Sequence, residues 1–155
     1  VDATDEVLGP LFIGYTDAKN FVAPSSWGEG VRLLTEADQP ALEGLRSASS
    51  ASDWEYGGCD FGERPVVGQF QGSQLIALGS YVEWAGEIAH LSVITHPDFR
   101  KQGHGKGVVA AITQEALRRA FIPQYRTRHA NAPSLALATS LGFVELAQSV
   151  ALKQA

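Results

Sequence analysis

A turn crowded with glycine joins a strand to a helix in this chain, and it restricts the fold more than any other stretch. Val93-Ile94-Thr95 reads as a strand end and His96-Pro97-Asp98-Phe99-Arg100-Lys101-Gln102-Gly103-His104-Gly105-Lys106-Gly107 as the turn, with a helical run from Val108 to Phe121 behind it. Only glycine lets a backbone bend so tightly and approach a ligand so closely. A helix start of this kind presents N–H groups that have no partner within the helix, and these attract anions. Arg100, Lys101 and Lys106 add positive charge at the positive end of the helix dipole. The turn is therefore read as a site for a phosphate-bearing ligand.

Around that junction the apolar residues switch between strand and helix periods. Val31-Arg32-Leu33-Leu34 reads as a short strand. Thr35 or Asp38 then caps a helix with Ala41, Leu42, Leu45 and Ala48 at helical spacing and Pro40 in its first turn. Ser47 to Ser52 reads as a polar linker, and Trp54-Glu55-Tyr56 lies between it and a Gly57-Gly58 turn. Val66 to Phe70, Leu75 to Trp84 and Glu87 to Thr95, parted by Gly72-Ser73 and Ala85-Gly86, make an antiparallel meander. On the helix behind the glycine turn, Val108, Val109, Ile112, Ala116 and Ala120 share one face. Pro123 and a strand from Tyr125 to Ala130 follow. Asn131 caps a helix through Leu141, Gly142 closes it, and Val144, Leu146, Val150 and Leu152 form a last strand. The order implies an α/β fold, with a central mixed, mostly antiparallel sheet flanked by helices. A parallel crossover through the helix after Gly107 would set the glycine turn at the carboxyl end of a strand, the usual ligand crevice of such sheets.

Which phosphate ligand is a matter of spacing. A P-loop needs G-x-x-x-x-G-K-[ST], and no hydroxyl follows Lys106. A dinucleotide fingerprint needs G-x-G-x-x-G and an acid about 20 residues on. Gly103, Gly105 and Gly107 are spaced wrongly for it, and Gln124-Tyr125 offers no carboxylate. The string that fits is Arg-x-x-Gly-x-Gly at Arg100, Gly103 and Gly105. Leu91-Ser92-Val93 and the His96-Pro97 step precede it, and Asn131-Ala132-Pro133-Ser134 and Leu141-Gly142-Phe143 follow. With these neighbours the chain resembles the GCN5-related N-acetyltransferase superfamily. Val31 to Asp38 is similar to that superfamily's opening strand and helix. The resemblance runs from Val31 to Leu152, so residues 31–155 are expected to form one acetyltransferase-like domain. Residues 1–30 are expected to be an N-terminal extension, in which Leu8 to Tyr15 reads as a short strand or packed arm.

The resemblance implies an acetyl-CoA-dependent N-acetyltransferase that moves an acetyl group directly to an amine of an unidentified small molecule or peptide. Main-chain amides of Lys101, Gln102, Gly103, His104, Gly105 and Lys106 would hold the coenzyme A pyrophosphate, with Arg100 beside them. Leu91, Ser92 and Val93 would pair with the pantetheine arm as if it were an added strand. Asn131 and Ser134 belong to the pantetheine side, although Asn131 reads equally as a helix cap. For the base the resemblance points to Glu87, counted back from Val93, with Glu83 on the facing strand as second choice. A solvated Glu87 after the Ala85-Gly86 turn is the competing reading. His90 and Ser92 alternate to the face opposite Glu87, and His90 reads as a packed histidine.

Many members of that superfamily carry a proton-donating tyrosine four residues before the glycine of the Gly-Phe pair. Here that position is Ala138, which leaves Tyr125, Ser134, His129 or water as the acid. It also leaves open an acyl-CoA-binding module without catalysis, or an interaction domain that keeps only the fold. Trp54, Glu55, Tyr56, Glu83 and Trp84 would suit a cationic acceptor.

Composition sets the outer limits. The 155 residues, 45% of them apolar, suit one domain with a sizeable core. A net charge of −5 argues against nucleic acid as a partner. A single cysteine, Cys59, excludes an intrachain disulfide and fits a reduced, cytoplasmic setting. No apolar run approaches the ~18 residues of a membrane-spanning helix. Asp2, Asp5 and Glu6 replace the basic start of a signal peptide. The absence of methionine implies a removed initiator or an excised piece. No His, Cys and carboxylate spacing resembles a metal site, so no metal is expected. The N-terminal stretch could line the acceptor cleft, mediate a homodimer or belong to an upstream domain.

Overall fold

Strands and helices form where the apolar periods run, and the residues between them dictate the turns. The computed structural model describes residues 7–62 and 64–152. Its strands are β1 (Val7–Tyr15), β2 (Val31–Leu33), β3 (Val67–Gln71), β4 (Gln74–Trp84), β5 (Ile88–Thr95), β6 (Ile122–Arg128) and β7 (Val144–Leu152). Its helices are α1 (Gln39–Ala48), α2 (Ala51–Gly57), α3 (Gly105–Arg118) and α4 (Ala132–Ser140). The strands form one sheet in the order β2-β3-β4-β5-β6-β1-β7, antiparallel throughout except for β5 and β6. The expected α/β architecture, its meander and its parallel crossover are all present. In the turn between β4 and β5, Ala85 and Gly86 both take positive φ (54° and 71°), as the right-handed twist of a hairpin requires.

Alternation along the strands sends side chains to two separate cores. Ala77, Tyr81, Ala89 and Leu91 pack with Val108, Val109, Ile112 and Ala116 of α3 and Ala138 of α4. Leu78, Ile94 and Val66 pack on the other face under Leu42 and Leu45 of α1. Each fully buried Leu or Ile contributes about 1.5–3 kcal/mol, so these two faces fix the register of β4 and β5. Gly79 sets how closely α3 approaches the sheet, because a Cβ there would lie 2.5 Å from Val108 Cγ1.

Several elements depart from the sequence expectation. The Ser47 to Ser52 run is not a linker. It contains the end of α1 and the cap of α2, where Ser50 Oγ accepts the Asp53 N–H at 3.1 Å, and Trp54, Glu55 and Tyr56 are helical. The helix expected from Val108 begins earlier, at Gly105, and ends at Arg118. Ala120 is not on its face but closes it at φ 64°, with Phe121 N–H bonded to Ala116 O and Ala120 N–H to Leu117 O. That closure normally uses glycine. β6 starts at Ile122 with Pro123 inside it, and Glu87 lies in the turn ahead of β5.

Of the two readings of Leu8 to Tyr15 the strand holds, and β1 belongs to the sheet. It lies between β6 and β7, pairing Leu11–Tyr15 with Gln124–Arg128 on one side and β7 on the other. Asp2, Asp5 and Glu6 lie outside the described residues. No helix among the described residues is long and apolar enough to cross a membrane.

Candidate active site

The sheet opens at one place. β5 and β6 share only three registered pairs, Ile88 with Ile122, Ala89 with Pro123 and His90 with Gln124. Beyond them β5 continues to Thr95 against β4, while β6 continues to Arg128 against β1. The two strands part, and the β6 side of Leu91, Ser92 and Val93 has no strand partner among the described residues. An edge of this kind accepts an extended chain through main-chain hydrogen bonds.

At the wide end of the split lies the glycine turn. His96 anchors its entry: the His96 N–H bonds Ile76 O at 2.8 Å, and Nδ1 accepts the Asp98 N–H at 3.1 Å. Lys101 and Gly103 both take left-handed backbone (φ 62° and 80°), so two of three successive residues curl the chain into a concave cradle for an anion. Lys106 N–H closes back on Gly103 O at 3.3 Å as α3 begins. No side chain caps the α3 start, which leaves its first N–H groups for a ligand. Gly107 is needed because the Trp27 carbonyl occupies the place of a side chain.

The charged groups of the turn divide into two sets. Lys101 and Lys106 are exposed at the cradle. Arg100 is engaged elsewhere, with Nη2 bonded to Asp53 Oδ2 of α2 at 2.8 Å and Nε to Thr95 O at 3.3 Å. The Arg100 bond holds the Asp53 carboxyl below its usual range. His104 turns its ring to Gln69 (3.2 Å) and Gln102 (3.3 Å) and packs edge-on to Phe99.

Across the split, Asn131 caps α4 with its Oδ1, which accepts the Ser134 N–H at 3.2 Å. The Ser134 hydroxyl meets the Tyr125 hydroxyl in a short hydrogen bond. Burial pushes the Tyr125 phenol upward, and the Ser134 bond partly opposes this. Ala138 is fully buried against the core and offers no polar atom. His129 is tied to Glu145 at 2.6 Å.

Glu83 and Glu87 stand at the opposite, closed end. Both are exposed, and the Glu87 carbonyl accepts the Ile122 N–H at 2.8 Å, which pins β6 to β5 there. On the α1 side of the sheet, near the split, is a pocket of about 330 Å³ lined by Cys59, Asp60, Arg64, Ser80, Val82 and Ser92 among others. Burial raises the Cys59 thiol to about 11, so it is an inert thiol at neutral pH. A larger groove beside Arg32 and Phe70 lies at the β2 edge, away from the split.

One cluster was not foreseen from the sequence. His90 Nδ1 lies 3.0 Å from Gln124 Oε1, and Gln124 Nε2 donates to the Tyr15 hydroxyl at 2.7 Å. The His90 ring stacks on Trp84 with centroids 4.5 Å apart and planes 8° from parallel. The three hydrogen-bonded residues come from β5, β6 and β1, so only the sheet register brings them together.

The sequence model of the GNAT acetyltransferase family matches residues 67–151, which takes in β3 to β7 with the split and the glycine turn. This chain belongs to that family. Among solved structures, a GNAT-family protein from Novosphingobium aromaticivorans is 24% identical, with a TM-score of 0.65, over 92% of this chain and 63% of its own. A GNAT-family acetyltransferase from Colwellia psychrerythraea is 15% identical, with a TM-score of 0.66, over 94% of this chain and 55% of its own. A Salmonella typhimurium protein solved with its cofactor acetyl-CoA is 19% identical, with a TM-score of 0.55, over 76% of this chain and 80% of its own. These likenesses establish a shared fold, and the GNAT chain spans under two thirds of the first two proteins' length. A search of curated proteins gives no match.

Proposed function

We propose that this GNAT chain is an acetyl-CoA-dependent N-acetyltransferase that transfers acetyl directly to an amine. The observation that carries the reading is the parting of β5 from β6 after His90 and Gln124, with a left-handed, lysine-bearing turn at its mouth. The residues present fit the coenzyme. Amides from Lys101 to Gly105 and the uncapped α3 start suit a pyrophosphate, with Lys101 and Lys106 to balance its charge. The free edge at Leu91, Ser92 and Val93 suits the amides of a pantetheine arm. Asn131 is committed to capping α4, and its backbone and Ser134 would border the same arm.

Bound acetyl-CoA supplies an acyl group already activated as a thioester. The chain's part is to hold that carbonyl against main-chain N–H groups of β5, which favours negative charge on its oxygen, and to manage protons. The acceptor would enter from the Ser80, Val82 and Ser92 side, where the pocket opens. Trp84, part-exposed on that same face of the sheet, would suit a cationic amine.

A second reading, acyl-CoA binding without catalysis, draws on Ala138, whose methyl fills a position where the superfamily often has a hydroxyl. The test is a two-step one. Acetyl-CoA should raise the thermal midpoint of the purified protein, and a panel of amines should be scanned for release of the free coenzyme thiol. Stabilisation without thiol release would favour the second reading, and no stabilisation would defeat both.

A further inference from the structure

A row of residues crosses the sheet at the apex of the split. Val82, His90, Gln124 and Tyr15 are register neighbours on β4, β5, β6 and β1, on the sheet face opposite α3. Val82 lies directly across from His90 and Ser92 lies two residues further along β5, and both line the pocket on that face. His90 is also the last β5 residue paired with β6. It thus stands where the free edge begins and the acceptor pocket ends.

We propose that His90 is the proton-transfer residue of this site, held in its working tautomer by Gln124 and Tyr15. The inference rests on the acetyl-transfer reading above and deepens it. Gln124 is 4% exposed, and its amide donates through Nε2 to the Tyr15 hydroxyl. That orientation directs Oε1 at His90 Nδ1, so Nδ1 carries the proton and Nε2 keeps a lone pair. Nε2 has no hydrogen-bond partner among the described residues. Stacking on Trp84 fixes the plane of the ring.

The surroundings keep the ring neutral at neutral pH. Burial lowers the His90 pKa most, the Gln124 bond acts against it, and the Arg126 charge on β6 lowers it further. From β4 the ring meets Val82 and Trp84, which do not titrate, and from β1 the relay ends at Tyr15. Glu83 alternates to the other face of the sheet. Glu87 is three residues from His90, roughly 10 Å along a strand, and lies at the closed end of the split.

The proton balance also removes the difficulty at Ala138. An unprotonated amine forms the new N–C bond as the C–S bond breaks. Its surplus proton passes to His90 Nε2. The imidazolium then gives that proton to the departing thiolate, so one residue serves as base and acid and no tyrosine on α4 is required. Gln124 and Tyr15 act through His90 and are positioning residues.

Two measurements test this. Long-range ¹H–¹⁵N correlation spectra of ¹⁵N-histidine protein, assigned with His90→Gln, should show His90 neutral with its proton on Nδ1 at pH 7.5. A proton on Nε2, or a charged ring, overturns the proposal. Kinetics then use two probe nucleophiles, n-butylamine and hydroxylamine, with acetyl-CoA. His90→Ala should lower the rate with butylamine about 100-fold or more. The thermal shift given by acetyl-CoA should stay as in the wild type, and added imidazole should restore part of the rate. Tyr15→Phe should lower the rate less and change the shape of the pH profile. An equal loss with both nucleophiles and no imidazole rescue, or a lost acetyl-CoA shift, overturns the proposal as well. If the wild type gives an acetyl-CoA shift but turns over neither probe, the tautomer decides. If it gives no shift at all, the acetyl-transfer reading itself fails.

Discussion

Gly79 lies under α3, and replacing it by alanine gives a quantitative check on how the glycine turn is held in place. The new Cβ would sit 2.5 Å from Val108 Cγ1, whereas unstrained carbons pack at about 3.5–4.0 Å, so roughly 1–1.5 Å of overlap must be relieved. Val108 is fully buried and cannot swing away. Overpacking of this size costs about 1–3 kcal/mol. Relief comes from lifting the start of α3, whose first residue, Gly105, is the last glycine of the Arg-x-x-Gly-x-Gly string. Val108→Ala by itself should cost about 2 kcal/mol, for lost methyls and the cavity they leave. In that background the Gly79→Ala methyl enters the cavity, and its cost should vanish. Urea unfolding of the four proteins, at constant m-value, measures the coupling, and acetyl-CoA thermal shifts follow the turn in parallel. A coupling of about 1–3 kcal/mol is expected, with the acetyl-CoA shift weakened in Gly79→Ala and recovered in the double variant. Additive costs to within about 0.5 kcal/mol would refute the claim that Gly79 and Val108 set the height of α3.

Ala120→Gly should stabilise the protein by about 1 kcal/mol, raising the thermal midpoint roughly 2–4 °C, because Ala120 occupies left-handed backbone that glycine adopts without strain. Asp53→Asn should release Arg100 toward the cradle and modestly tighten acetyl-CoA binding by calorimetry, while Arg100→Gln should not. The Arg32 guanidinium grips Asp38 with two bonds and, with the Thr35 N–H, lowers its pKa to about 2. Since the folded pKa lies below the unfolded value near 3.9, this pair's stabilisation is full above pH ~4 and is lost as pH falls toward 2. Asp38→Asn should flatten the fall in thermal midpoint over that window, by no more than about 1 kcal/mol for a pair whose guanidinium is half open to solvent.

The parts of the fold legible in the sequence are those whose cause is local. The meander could be read because Gly72 and Gly86 sit between apolar runs, and the α4 cap because Asn131 stands three residues before the N–H it accepts. The helix boundaries at Ser50 and Gly105 were hidden for local reasons too. Serine is common in linkers, and glycine in a first helical turn reads as loop. Other features depend on partners far away in the chain. Nothing near Leu11 to Tyr15 tells that this run is central to the sheet rather than peripheral, because the residues that flank it lie in β6 and β7. The bond from Arg100 to Asp53 is invisible to a local reading, because the two residues lie 47 positions apart in sequence.

The same non-local pairing links β1 to the site. β1 alternates Tyr15, Ile13 and Leu11 to one face of the sheet and Phe12 to the core under α4, so its register is strongly specified by burial. That register brings Tyr15 opposite Gln124, and the parallel register of β6 brings Gln124 beside His90. A one-residue slip of β1 would send Tyr15 to the other face and leave the buried Gln124 amide with an unsatisfied donor, a cost of about 1–3 kcal/mol. Burying Phe12 and satisfying Gln124 therefore favour the same alignment. The N-terminal strand is in this way both a structural member of the sheet and the means by which the imidazole at the apex of the split keeps one orientation.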